Sequence, residues 1–97
     1  MRDVKRLELV VDAVHVDEML RALRGAGVDG YTVLRGASGW GDRGARQQDG
    51  ISGVFENCVV LCAVETELIG AVVGVVQPIL KRYGGVGMVS DVQWVVH

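Results

Sequence analysis

The sequence has few of the features that mark secreted, membrane or nucleic-acid-binding proteins. It contains two cysteines and one proline among 97 residues, and two cysteines cannot supply the disulfide framework of a small secreted domain. Ten basic and twelve acidic side chains give a net charge of −2, so there is no basic field to hold a nucleic-acid backbone. The charged N-terminus is unlike a signal peptide, and the apolar stretch 68–80 is shorter than the roughly 20 residues of a membrane span. We therefore predict a cytoplasmic protein that binds no nucleic acid and is not embedded in a membrane.

Signatures of catalysis and metal binding are missing as well. The two histidines, His15 and His97, have no further ligand at metal-binding spacing, and no nucleophile accompanies a candidate base. Cys58 and Cys62 fall in a predicted strand, where residues four apart lie roughly 13 Å from each other, too far for a disulfide. We predict two buried cysteines, no metal site, no cofactor and no enzymatic activity.

Hydrophobic residues, at 49% of the chain, are numerous enough to form the core of one domain spanning 1–97. Their spacing alternates between the period of two that is typical of strands and the 3.6-residue period of helices. The order is β-α-β-β-α-β, the α+β ferredoxin-like arrangement with an antiparallel four-stranded sheet. The predicted strands are 4–12, 30–35, 54–64 and 86–96, and the predicted helices are 16–26 and 67–83.

Two details of this plan carry further expectations. Pro78 should kink or break the second helix near residue 77, because proline inside a helix costs about 3 kcal/mol. With both helices on one side of the sheet, the other side is uncovered, and Val10, Val60 and Cys62 are expected there. A face with such side chains is too apolar to be simply hydrated, so we expect it to pack against another subunit.

A glycine-rich connection separates the second and third strands. Residues 36–53 contain six glycines and no hydrophobic periodicity, and connections this long are usually functional or disordered. The part from Gly39 to Arg46 combines glycines, which let main-chain N–H groups approach a phosphate, with arginines that donate charge-assisted hydrogen bonds. An ordinary surface loop is the alternative. Trp40 favours a ligand or partner, because a tryptophan between two glycines has no role in a core.

Two further positions are weaker candidates. Residues Gly84-Gly85-Val86-Gly87 lie between the last helix and the last strand and could cradle a phosphate, although a helix cap followed by a turn explains them more simply. Thr32 lies in the strand that enters the glycine-rich connection. Strand propensity alone would account for it, and its position also makes it a plausible ligand contact.

Three short segments in this β-α-β-β-α-β chain resemble the PII superfamily of signalling proteins: Gly30-Tyr31-Thr32-Val33, Gly39-Trp40-Gly41 and Val64-Glu65-Thr66. The resemblance covers nearly the whole chain. It implies a homotrimer with nucleotides in the clefts between subunits, and a T-loop, here 36–53, whose order changes with the ligand. The stretch from Gly39 to Arg46 is similar to PII-like proteins that accompany bicarbonate transporters and carboxysomes. Residues 36–53 contain no tyrosine, so the modification site of the nitrogen regulators is missing.

The same resemblance implies roles for individual residues. Val64 would pack against the adenine, and Arg46 would hold a phosphate or a small anion such as bicarbonate. Main-chain groups of Gly85, Val86 and Gly87 would contact phosphate. The contacts from the other side of the cleft would be Thr32, Gly39, Trp40, Gly41 and Arg43.

Two departures from the nitrogen regulators affect the expected ligand. The second glycine segment lacks their aspartate and lysine, and no arginines follow the last strand. Fewer cations mean a weaker hold on a γ-phosphate, so we expect ADP or AMP to be preferred over ATP. The paired cysteines that end some transporter-associated relatives are also absent.

The resulting hypothesis is a sensor of energy or inorganic-carbon status. Through its loop it would signal to an unidentified protein target, either a transporter or a carboxysome component, and it would reside in the cytoplasm in association with carboxysomes. One alternative is a trimeric structural or metal-binding module of ferredoxin-like fold that binds no nucleotide. Another alternative is a small ferredoxin-like enzyme, although no set of residues in the sequence supports it.

Overall fold

The computed structural model describes residues 1–38 and 56–97. Within these ranges the chain forms four strands and two α-helices in the predicted β-α-β-β-α-β order. A first 3₁₀ turn, Ala13–His15, precedes the first α-helix, and a second, Thr66–Leu68, precedes the other. The elements are β1 (Arg2–Asp12), α1 (Val16–Gly25), β2 (Thr32–Ala37), β3 (Asn57–Val64), α2 (Ile69–Tyr83) and β4 (Val86–Trp94).

The strands form one antiparallel sheet in the order β2-β3-β1-β4. Strands β1 and β3 are central, and β2 and β4 are the edges. This topology confirms the predicted ferredoxin-like α+β fold. Strand β2 ends at Ala37, which pairs with Asn57 at the start of β3, so the connection between them leaves and re-enters the sheet at one end.

The core lies between the sheet and the two helices. Alternate residues of β1 point toward the helices, with Leu7, Leu9 and Val11 buried as period two requires. Helix α1 contributes one apolar stripe and α2 a narrower one. The buried helical residues are Val16, Met19, Leu20, Leu23, Val72 and Val76.

The register of β3 corrects one sequence-based expectation. Val60 lies opposite Leu9, and Cys62 lies opposite Leu7, so both side chains join the core under the helices rather than the open face. They are 0% and 7% exposed, respectively. The prediction was wrong because β3 is apolar on both faces, and only its pairing with β1 determines which face turns inward. Val10, in contrast, does lie on the open side.

Helix α2 also differs from expectation, because it continues through Pro78 from Ile69 to Tyr83. The break predicted near residue 77 is wrong. Proline removes the hydrogen bond to the carbonyl of Gly74, and both residues are exposed, so that carbonyl can be hydrated instead. Val72 and Val76 are buried, and their packing holds α2 on the sheet in the turns before the missing hydrogen bond.

The sheet face that points away from the helices is rich in apolar side chains. The strand pairs place the side chains of β1 residues Arg6, Glu8 and Val10 on this face. Large hydrophobic side chains from both edge strands are exposed on it: Leu34 51%, Val86 52%, Met88 52% and Trp94 44%. We call this surface the open face.

Candidate functional site

One candidate site is a cleft of about 540 Å³ on the open face, lined by residues from all four strands. Thr32, at the start of β2, lines it together with Tyr31, Leu61 and Trp94. The volume lies in the range of small-molecule pockets. Arg24 on α1 fixes one wall, because its Nη1 donates a hydrogen bond of 2.7 Å to the Tyr31 hydroxyl. The structure therefore places the exposed Thr32 at a concave surface.

A second candidate is the turn from α2 into β4, which we call the glycine turn (Gly84–Gly87). Gly84 ends α2 with a φ of 83°, and its N–H donates to the Leu80 carbonyl at 2.7 Å. Gly85 has a φ of 127°, and a Cβ there would lie 2.6 Å from the Val10 carbonyl oxygen. A Cβ on Gly87 would lie 3.0 Å from Leu80 Cδ1. The close packing of the turn therefore suffices to require glycine at position 85, whereas at position 87 a Cβ would need only a small movement of the Leu80 side chain.

The glycine turn leads into an edge strand. Within the described parts of the chain, β4 pairs with β1 alone, so half of its main-chain N–H and C=O groups point away from the sheet. Val86 and Gly87 are exposed. Such edge groups can hydrogen bond to a ligand or another chain, which makes the predicted main-chain contacts to phosphate chemically feasible.

Thr32 and the glycine turn lie at opposite edges of the sheet. The register forms one row across the four strands, from Thr32 through Leu61 and Glu8 to Met88. Three strand spacings separate the ends of this row by about 14 Å. A single subunit therefore does not bring these two predicted contacts together.

The other predicted residues fall elsewhere. Val64 lies in β3 near the opposite end of the sheet from the glycine turn, and its side chain is 2% exposed within the core. It offers no side-chain surface to an adenine in the single chain, so its predicted role stays a prediction. The predicted residues Gly39, Trp40, Gly41, Arg43 and Arg46 lie outside the described residues.

Sequence reasoning missed an aromatic cluster beside the glycine turn. The His15 ring stacks on the Tyr83 ring with centroids 3.6 Å apart and 12° between the planes. The Tyr83 hydroxyl donates to Glu18 Oε1 at 3.2 Å. Arg82 lies 5.7 Å from the centre of the Tyr83 ring, and a hydrogen bond with Tyr83, followed by the charges of Tyr83 and Glu18, raises the pKa of its guanidinium. His15 and Glu18 are too far from Tyr83 in sequence for any local pattern to associate them.

The cysteines behave as buried core residues. Both Cys58 and Cys62 are free thiols, as predicted. Burial raises the pKa of the Cys62 thiol, while Cys58 accepts a weak contact of 3.8 Å from Arg35 Nη1. Among residues 1–38 and 56–97, no group of three His, Cys, Asp or Glu side chains could hold a metal ion. Neither helix of those ranges is long and apolar enough to cross a membrane.

Comparison with known families places this geometry in context. The family model described as nitrogen regulatory protein P-II matches residues 4–96. A comparison with curated proteins finds no significant match.

Solved structures of PII-like proteins have the same fold. The chain is 28% identical to CPII, a nitrogen regulatory PII-like protein from Thiomonas intermedia bound to ADP, AMP and bicarbonate, with a TM-score of 0.78 and 98% and 96% of the two chains covered. CPII bound to ADP, AMP and acetate matches at 27% identity and a TM-score of 0.78, covering 98% of this chain and 91% of that one. A putative PII-like signaling protein from Thermus thermophilus, 21% identical, covers 97% and 91% of the chains with a TM-score of 0.78 and supports the fold alone.

Proposed function

The chain belongs to the nitrogen regulatory protein P-II family, and on this premise we propose that it is a regulatory protein that binds ADP or AMP in clefts between the subunits of a homotrimer. The similarity to CPII supports this choice of ligand, because CPII was solved with ADP, AMP and bicarbonate and aligns with 98% of this chain. The proposed role is non-enzymatic, as is typical of a regulatory family.

The observation that carries the proposal is the separation of the two candidate contacts. Thr32 lies at the β2 edge, whereas the glycine turn lies at the β4 edge. In the proposed site one nucleotide meets both contacts where the β2 edge of one subunit approaches the β4 edge of the next. A closed ring of three such contacts gives three equivalent sites, as heterologous interfaces do when the rotation closes.

The open face supplies a reason for subunits to associate. Leu34, Met88 and Trp94 are about half exposed there, and a contiguous apolar surface of this kind favours burial against another copy. Association through this face leaves the helices outside and brings the sheet edges of neighbouring subunits together. The proposed trimer thus both buries the open face and assembles the nucleotide site.

The preference for ADP or AMP over ATP rests on charge. The glycine turn has no side-chain cation within Gly84–Gly87, so main-chain N–H groups are its only donors to phosphate. They can satisfy one or two phosphates but do not neutralise a third, for which charge-assisted donors are needed. Arg43, Gly39, Trp40 and Gly41 of the T-loop complete the proposed site.

The proposal extends to inorganic carbon and to a protein partner. Arg46 is the proposed ligand of bicarbonate, the anion found with ADP and AMP in CPII. Ligand binding would change the order of the T-loop and so its affinity for a target, which requires that the ligand bind the two loop states unequally. The proposed target is a bicarbonate transporter or a carboxysome component, and the proposed location is the cytoplasm.

Titration calorimetry of the purified protein with AMP, ADP, ATP and cyclic AMP tests the nucleotide proposal. Each titration is repeated with bicarbonate, with acetate and with chloride, because acetate occupies a CPII structure alongside the same nucleotides. We expect ADP or AMP to bind more tightly than ATP, and bicarbonate to strengthen binding more than chloride does. Absence of binding by a trimeric protein would refute the proposal in favour of a structural module.

Substitution of Arg43 tests the site itself. Arg43→Ala should weaken ADP binding by about 1.5–3 kcal/mol, the scale of a hydrogen bond to a charged group. The matched control is Arg21→Ala, which removes an exposed arginine from α1 and should leave affinity unchanged. Equal affinities in the two variants would remove Arg43 from the site.

A further inference from the structure

Tyr83 is held from two sides at the point where α2 ends. His15 stacks on its ring at 3.6 Å, and Glu18 accepts a hydrogen bond of 3.2 Å from its hydroxyl. The first 3₁₀ turn, which carries His15, is itself fixed, because the Ala13 N–H donates to the Glu56 carbonyl at 2.8 Å. We call the three side chains His15, Glu18 and Tyr83 the Tyr83 clamp.

The clamp is joined directly to the glycine turn. Tyr83 is peptide-bonded to Gly84, and Gly84 and Gly85 follow with φ values of 83° and 127°. Glycine loses more main-chain freedom on ordering than any other residue, so two in succession need neighbours that restrict them. Val10 limits the turn on the strand side through its carbonyl. On the helix side Leu80 contacts the turn, and Tyr83 is the residue from which the chain enters it.

The core does not explain why these side chains meet. His15, Glu18 and Tyr83 are only partly buried, and none belongs to the hydrophobic core cluster. The stack joins the first 3₁₀ turn to the last residue of α2 across 68 positions of sequence. The stack therefore holds the residue that directly precedes the glycine turn.

We infer that the Tyr83 clamp positions the glycine turn for the phosphate groups of the nucleotide, so His15 and Tyr83 are positioning residues that do not touch the ligand. The inference rests on the proposed function, because it takes Gly85–Gly87 as phosphate contacts. Preorganisation of a binding segment raises affinity by lowering the cost of ordering it on binding. The Tyr83 clamp should therefore strengthen binding of the phosphates and leave binding of the adenosine part of the ligand unchanged.

The test compares ADP with adenosine, which lacks phosphate. Affinities are measured by competition against a fluorescent ADP analogue for the parent, His15→Ala and His15→Phe. His15→Ala should weaken ADP binding about two- to tenfold, the range that corresponds to one aromatic pair, and leave adenosine binding unchanged. His15→Phe keeps a flat ring over Tyr83 and should restore ADP affinity to near the parent value.

Two more variants separate positioning from general loss of stability. Tyr83→Phe keeps the stack and removes the hydrogen bond to Glu18, so it should weaken ADP binding less than His15→Ala does. Val72→Ala removes volume from the fully buried core of α2 without altering the clamp. It should lower the unfolding temperature and leave the ratio of ADP to adenosine affinity as in the parent.

The outcomes distinguish the inference from the proposed function. If the parent binds ADP and His15→Ala binds it equally well, the inference is wrong and the proposed function stands. The inference is also wrong if His15→Ala weakens ADP binding and adenosine binding equally, or if His15→Phe does not restore ADP affinity. The Tyr83 clamp would then be a structural contact without an effect specific to phosphate binding. If the parent binds neither ligand, the proposed function fails and the inference falls with it.

Discussion

Replacing Gly85 with alanine should destabilise the protein more than any other single glycine substitution in the described part of the chain. The backbone there has a φ of 127°, and the added Cβ would lie 2.6 Å from the Val10 carbonyl oxygen and 3.1 Å from Leu80 Cδ2. A backbone conformation that disfavours side chains costs about 1–3 kcal/mol, and overpacking typically costs a further 1–3 kcal/mol or so. Because the nearest atom belongs to the main chain of the central strand β1, it cannot move aside cheaply. We expect a loss of about 2–6 kcal/mol in the free energy of unfolding.

Urea unfolding at a fixed protein concentration measures this loss, since dissociation of an assembly would otherwise contribute to it. The matched control is Gly74→Ala on the exposed side of α2, where an added Cβ meets nothing within 4 Å. That change should stabilise the protein by about 0.5–1 kcal/mol through helix propensity. If Gly85→Ala unfolds within about 0.5 kcal/mol of the parent, a surface-like effect, the close packing described for the glycine turn is incorrect.

Two other perturbations probe the open face and the buried thiol. Met88→Lys places a charge on the open face, where the Met88 side chain is 52% exposed. A single chain should tolerate this charge, whereas a trimer that buries it should dissociate. Light scattering of the parent and the variant measures the assembly, and a monomeric parent would contradict the proposed trimer. Burial raises the pKa of the Cys62 thiol above its ordinary value of 9.0, so the folded state favours the protonated thiol. The stability that this preference contributes is fully present below pH 9.0 and is lost as the pH rises through the folded-state pKa. The stability difference between the parent and Cys62→Ala should therefore shrink as the pH rises above the ordinary thiol pKa of 9.0. A constant difference in urea unfolding would refute this coupling.

Element order was accessible from sequence because it depends on local periodicity. The stripe Val16, Met19, Leu20 and Leu23 indicates α1 without reference to the rest of the chain, and it is buried as expected. The alternation in β1 is similarly local. Pro78 shows where a local rule fails, because the packing of α2 on the sheet outweighs the hydrogen bond that proline removes.

The site could be predicted only as a set of separate pieces. Thr32 and Gly85–Gly87 were identified from residue type and family resemblance, and the structure shows that they occupy opposite edges of one sheet. Sequence offers no measure of that separation, because strand order results from long-range pairing. The proposal that one site needs two subunits therefore rests on the sheet and not on the motif.

By itself, the sequence determined the order of the strands and helices in residues 1–38 and 56–97, the burial of the two cysteines and the family to which the chain belongs. These properties depend on residue types at short spacing, which carry the same information in an extended chain as in a folded one. The tertiary structure decided which face of β3 turns inward, since the burial of Val60 and Cys62 depends on their register with β1. It also brought His15 onto Tyr83 beside the glycine turn, because contacts between residues so distant in sequence exist only once the sheet and both helices have packed.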